Sequence, residues 1–175
     1  MTWRPDADSS HREAEKIAHL IVPYTRGRGL DIGSGDKFLF PHFIRVDSGK
    51  DFGDARIAEI KSDASDLNLI ADESCDYVFS SHCLEHIADH KAALREWWRV
   101  IKPGGHLVLY LPHRDLYPKI GEPGSNPDHK HDFIPDDIID AMKEIGSWTL
   151  LENEVRSGGN EYSFFLVFRK DAADE

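Results

Sequence analysis

The chain has 175 residues, 40% of them hydrophobic and 30% charged, which fits one soluble globular domain with room for a core. A formal net charge of −11 at pH 7 argues against DNA or RNA as the main partner, because phosphate recognition needs a basic face. Cys75 and Cys83 give no disulfide framework, no apolar run is long enough to span a bilayer, and the opening Met-Thr-Trp-Arg-Pro-Asp does not read as a signal peptide, so a cytoplasmic location is expected.

In chain order, Ser10 to Glu13 has capping-box spacing and opens a helix with Ile17, Leu20 and Ile21 on one face; Pro23 ends it. Leu30–Ile32 reads as strand one and Ile44–Asp47 as strand two. Only Asp36 to Val46 separate Gly35 from Asp47, and Pro41 lies among them. That is too short for a full crossover helix and implies a turn packed by Phe38, Leu39 and Phe40. Ile57–Ser62 reads as strand three, Ala64–Leu69 as a loop, and Tyr77–Ser80 as strand four.

Ala88–Ile101 is a predicted helix with Ala92, Leu94, Trp97, Trp98 and Ile101 on its apolar side, ended by Pro103-Gly104-Gly105. Trp97 and Trp98 read as packing rather than as a stacking site. Leu107–Leu111 is apolar nearly throughout, so it reads as a central strand buried on both faces. A polar loop follows from His113, and Pro135-Asp136-Asp137 starts a helix running to about Ile145. Trp148–Val155 and Tyr162–Phe168 make two strands joined by Ser157-Gly158-Gly159-Asn160. The last of these reads as core, with an exposed edge as the basis for a homodimer.

Three acids end short apolar strands. Asp31 opens Asp31-Ile32-Gly33-Ser34-Gly35, a glycine turn that lets the backbone bend sharply and approach a ligand. Asp47 ends strand two and Asp63 follows strand three; Lys102-Pro103-Gly104-Gly105 precedes strand five. This set resembles the class I S-adenosylmethionine-dependent methyltransferases, the methyltransferase type 11-like group, well over Leu30–Pro112 and loosely elsewhere. The resemblance implies an α/β, Rossmann-like, seven-stranded and mostly parallel sheet of order 3-2-1-4-5-7-6, last strand antiparallel, with helices on both faces. It implies one domain over 1–175: an N-terminal helix (1–24), a cofactor-binding core (28–112), an acceptor loop (113–135), and a helix with a terminal hairpin (136–170).

The cofactor implied is S-adenosyl-L-methionine. Asp31, Gly33, Ser34 and Gly35 would meet its methionine part, Asp47 both ribose hydroxyls, and Asp63 with Ala64 the adenine. Ser81 and His82 would lie near the sulfonium. A carboxylate suits the ribose because it offers only acceptors, in bidentate geometry. A dinucleotide is disfavoured, since Phe38 stands where that fingerprint needs its third glycine and Pro41 follows. Asp36-Lys37 and the short connection depart from the family pattern. They motivate a rival reading, a non-catalytic cofactor-binding or interaction module with a degenerate glycine loop.

Ten histidines offer several general bases. His82, His86 and His90 are spaced four apart; His82 is expected in the loop and His90 on a solvated helix face. His86 matches the family's "LEH" after strand four. His113 follows strand five, with Asp115 placed to orient it. The segment Asn126 to Phe133 carries His129 and His131 and admits three readings: an acceptor lid, a solvated loop with Asp132 capping the next helix, or a divalent metal site. Its spacing matches no specific metal motif, so no metal is assigned. The expected acceptor is a small polar hydroxyl compound. Similarity of the short glycine loop and "PDHKHDF" to proteins associated with bacterial surface polysaccharides makes a sugar or surface-glycan intermediate the first choice. No Asn-Pro-Pro-Tyr motif follows strand four, which disfavours amino groups of bases or of glutamine.

Overall fold

The computed structural model describes residues 10–35, 39–49 and 58–172, with side chains from Glu13 onward. Seven strands form one sheet of order β3-β2-β1-β4-β5-β7-β6, as the resemblance implied. They are β1 (Gly29–Ile32), β2 (Phe43–Asp47), β3 (Ile60–Lys61), β4 (Cys75–Ser81), β5 (Ile101–Pro112), β6 (Trp148–Arg156) and β7 (Ser163–Lys170). The first five strands run parallel, and β7 enters antiparallel between β5 and β6.

Period-two alternation divides the core between the two faces. Val78, Leu107, Leu109, Leu111, Phe164 and Leu166 pack with Leu94, Trp97, Ile138 and Met142 of α3 (His90–Val100) and α4 (Pro135–Lys143). The intervening Tyr77, Phe79, Val108, Tyr110, Phe165 and Val167 pack with Ile17 and Ile21. Burial on both faces explains the unbroken apolar runs Leu107–Leu111 of β5 and Phe164–Phe168 of β7.

Several boundaries differ from the sequence reading. The N-terminal helix is two pieces, α1 (Ser10–Lys16) and α2 (Ala18–Ile21), broken at Ile17 (φ −107°, ψ 4°). The expected cap at Ser10 falls outside the described side chains, and the expected roles of Asp36, Lys37, Phe38 and Ile57 lie outside the described residues. Among described residues, the β1–β2 connection contains no helix.

Lys102-Pro103-Gly104-Gly105 does more than stop α3. It lies within β5, where the pairing with β4 shifts register. Gly104 takes φ +80°, and a Cβ on Gly105 would come within 2.7 Å of the Asp76 carbonyl oxygen. The Tyr162–Phe168 segment is paired on both sides through β7, so the free edge there belongs to β6. Among the described residues no helix is long and apolar enough to cross a membrane.

Candidate active site

The carboxyl ends of β1, β2 and β4 meet at the glycine turn. The Gly33 amide donates to Val46 O at 2.9 Å, so the turn folds back over β2. Gly33 has φ +73°, and a Cβ there would lie 2.5 Å from Cys83 Sγ; both facts demand glycine. The Asp47 carboxylate accepts the Gly35 amide at 2.9 Å and the Gly49 amide at 2.7 Å. Asp31 is buried, and desolvation pushes its carboxyl up to about 7, opposed by the nearby Arg45 guanidinium.

The hydroxyl oxygens of Ser34 and Ser81 are buried with no hydrogen-bond partner in place among the described residues. Donors and acceptors in this state fit a polar ligand at this edge. Asp63 is exposed and holds the following turn by accepting from Ser65, while Ala64 O accepts the Trp97 indole N–H at 2.7 Å. This edge therefore offers carboxylates, amides and unpartnered hydroxyls where the sequence reading expected the cofactor's methionine, ribose and adenine parts.

Next to this edge lies a second polar cluster, drawn from distant parts of the chain. His82 follows β4 directly with φ +50°, a left-handed conformation uncommon outside glycine. Its amide donates to Tyr110 O at 2.8 Å, and its Nε2 lies 2.9 Å from Ser163 Oγ at the start of β7. Glu13 of α1 brings Oε2 to 3.8 Å from the same nitrogen. On the other side, Glu85 Oε1 is 3.9 Å from His82 Nδ1, from His86 Nε2 and from His129 Nε2.

Glu85 has no solvent exposure, and neither of its carboxylate oxygens has a hydrogen-bond donor in place among the described residues. Its backbone carbonyl accepts the Lys130 and His131 amides, which ties the Asn126–Phe133 segment down over the site. Tyr117 and Tyr162 wall the cluster, their rings 5.0 Å apart, with Tyr117 5.3 Å from His129. Burial dominates the electrostatics here: it pushes the His82 imidazole down to about 3, the His129 imidazole down to about 4 and the Glu85 carboxyl up to about 8.

The structure thus brings His82, His86 and His129 together and adds Glu13, Glu85, Tyr162 and Ser163, which sequence reading did not single out. His113 lies elsewhere. Its amide donates to Tyr162 O, its ring packs edge-on to Phe164, and its Nδ1 accepts the Asp115 amide at 3.2 Å. The Asp115 carboxylate faces Arg114 and Lys119. His131 is also apart, with Nε2 at 3.0 Å from Ile87 O and 3.3 Å from His90 Nδ1. His90 is half-buried against His131 and Phe133, not on a solvated face. Asp132 accepts the Ile120 amide; the start of α4 is held instead by Asp137, which accepts the Ile134 amide.

Residues 30–109 match the methyltransferase domain family model. Over these residues the chain is similar to methyltransferase domains, and its sheet has the strand order that this resemblance implied. That similarity implies S-adenosyl-L-methionine as cofactor. An uncharacterized protein of Methanocaldococcus jannaschii is 31% identical over 137 residues, covering 69% of this chain and 64% of that protein. A probable S-adenosylmethionine-dependent methyltransferase of Mycolicibacterium smegmatis is 24% identical over 148 residues, covering 77% of this chain and 58% of that protein. The chain thus spans about three-fifths of the length of these two relatives. A crystal structure from Thermotoga maritima, described as a methyltransferase and possible histamine N-methyltransferase, shares the fold with a TM-score of 0.69 at 20% identity, covering 94% of this chain and 93% of that one.

Proposed function

We propose that this chain transfers the methyl group of S-adenosyl-L-methionine to a hydroxyl oxygen of a small polar acceptor, with a sugar or surface-glycan intermediate as first choice. The observation that carries this reading is the buried polar cluster around His82, built beside the glycine-turn edge and walled by Tyr117 and Tyr162. When bound, the cofactor supplies an activated methyl group on a sulfonium.

The chain's own residues bind, orient and exclude water. In this reading the glycine turn with Asp31 and Ser34 holds the methionine part, Asp47 takes the ribose hydroxyls, and Asp63 with Ala64 takes the adenine. Ser81 and His82 stand nearest the reacting centre. Burial keeps His82 neutral, which leaves its ring one nitrogen able to accept a hydrogen bond from an acceptor hydroxyl and hold that oxygen toward the methyl group. Ser163, 2.9 Å from Nε2, orients the ring. Tyr117, Tyr162 and the Asn126–Phe133 segment close the pocket, and positioning supplies much of the rate.

The test is product formation. The chain is incubated with methyl-labelled cofactor and a panel of monosaccharides, nucleotide sugars, histamine and an oligonucleotide. Label is expected on a sugar hydroxyl. Label on histamine alone overturns the hydroxyl assignment. Cofactor binding with no transfer to any class supports the rival reading of a non-catalytic binding module.

A further inference from the structure

We propose that Glu85, His86 and His129 hold a divalent first-row transition-metal ion. Each offers one ligand atom, and these atoms lie within 4.8 Å of one another. Two imidazoles and one carboxylate form a donor set suited to zinc, manganese or ferrous iron, and three protein ligands leave positions open for water or acceptor oxygens.

Two independent features point to a cation. The first is the state of Glu85. A carboxylate with no solvent exposure normally collects hydrogen bonds, yet both of its oxygens lack a donor among the described residues. The three imidazole nitrogens facing Oε1, each at 3.9 Å, are too far for hydrogen bonds. Two ligands of one tetrahedral ion with bonds of about 2 Å stand roughly 3.3 Å apart, so a small inward movement completes the site.

The second feature is the construction of the backbone around it. Glu85 and His86 both issue from a one-turn 3-10 helix (Leu84–His86). His129 comes from a segment more than forty residues on. It is locked to the first by two hydrogen bonds that the Lys130 and His131 amides donate to the Glu85 carbonyl. Tyr117 lies against the His129 ring and limits its rotation. The ligands from the two segments are therefore held in register without a metal.

The site adjoins His82 but does not depend on the methyl-transfer reading, and it is tested without cofactor. Chain freed of metal with EDTA and then dialysed is titrated with zinc chloride and manganese chloride, and its cobalt(II) form is examined in the visible spectrum. One zinc per chain is expected, with d–d absorption bands of nitrogen-ligated cobalt. Glu85→Gln and His129→Asn should weaken zinc binding by more than the roughly 10–100-fold that losing an outer-shell partner costs. His90→Ala, at the neighbouring His90–His131 pair, should leave it unchanged. Absence of stoichiometric zinc and of cobalt bands in the wild-type chain overturns the proposal, even where a variant fails to fold. Loss of binding in His90→Ala with retention in His129→Asn overturns it as well.

Discussion

The carboxylate of Asp47 at the end of β2 accepts the backbone amide of Gly35 in the turn after β1, at 2.9 Å. One bond thus joins the acid expected at the ribose to the glycines expected at the methionine part. The Gly49 amide holds the other oxygen at 2.7 Å, so the carboxylate is oriented before any ligand arrives.

Asp47→Ala is therefore expected to weaken binding of S-adenosylhomocysteine. Hydrogen bonds to a charged group contribute about 1.5–3 kcal/mol each, which corresponds to roughly ten- to a hundredfold in affinity per bond. Calorimetric titration of the variant checks this, and unchanged affinity would remove Asp47 from the ribose site.

Gly33→Ala should destabilise the chain by about 2–4 kcal/mol, because it combines a left-handed φ of +73° with a Cβ placed 2.5 Å from Cys83 Sγ. Gly158→Ala, where a Cβ meets nothing within 4 Å, should stay within about 0.5 kcal/mol of wild type. Urea denaturation of both variants makes the comparison.

The stability of the free chain should depend on pH through Asp31. Burial raises its carboxyl from an ordinary 3.8 to about 7, so the folded chain binds this proton more tightly than the unfolded chain. This contribution to stability is fully present below the ordinary value and is lost as pH climbs through about 7. Asp31→Asn removes that loss, and its stability should fall less between those two pH values. An unchanged slope would mean that Asp31 ionises freely in its strand.

Trp97 couples the helix after β4 to the Asp63–Ala64 turn, where adenine is expected, through its indole N–H on Ala64 O. Trp97→Phe leaves that carbonyl without its donor and should cost about 1–3 kcal/mol in thermal or chemical denaturation. It should also weaken S-adenosylhomocysteine binding through displacement of the Asp63–Ala64 turn.

Much of this was legible from the residues. Period-two and unbroken apolar runs marked β1, β4, β5 and β7 because a parallel sheet covered on both faces tolerates few polar residues. The glycine turn and the acids at the ends of β1 and β2 were visible because backbone demands at such turns are local. The strand order came through family resemblance, since no single segment encodes its neighbours.

The His82 cluster was only half legible. His82 and His86 are close in sequence, but Glu13, Ser163 and Tyr162 reach them across the fold. Glu85 stands beside His86, yet its significance lies in complete burial, which no spacing displays. Asp115 looked placed to orient His113, but the chain reverses there and presents an amide to the ring, while the carboxylate turns toward lysine and arginine.

The most direct test of the central claim is calorimetric titration of the purified chain with S-adenosylhomocysteine, with NAD as control. The account predicts saturable binding of the sulfur nucleotide at one site per chain and none of NAD. No binding of S-adenosylhomocysteine, or equal binding of NAD, would contradict the assignment of this edge as a methyltransferase cofactor site.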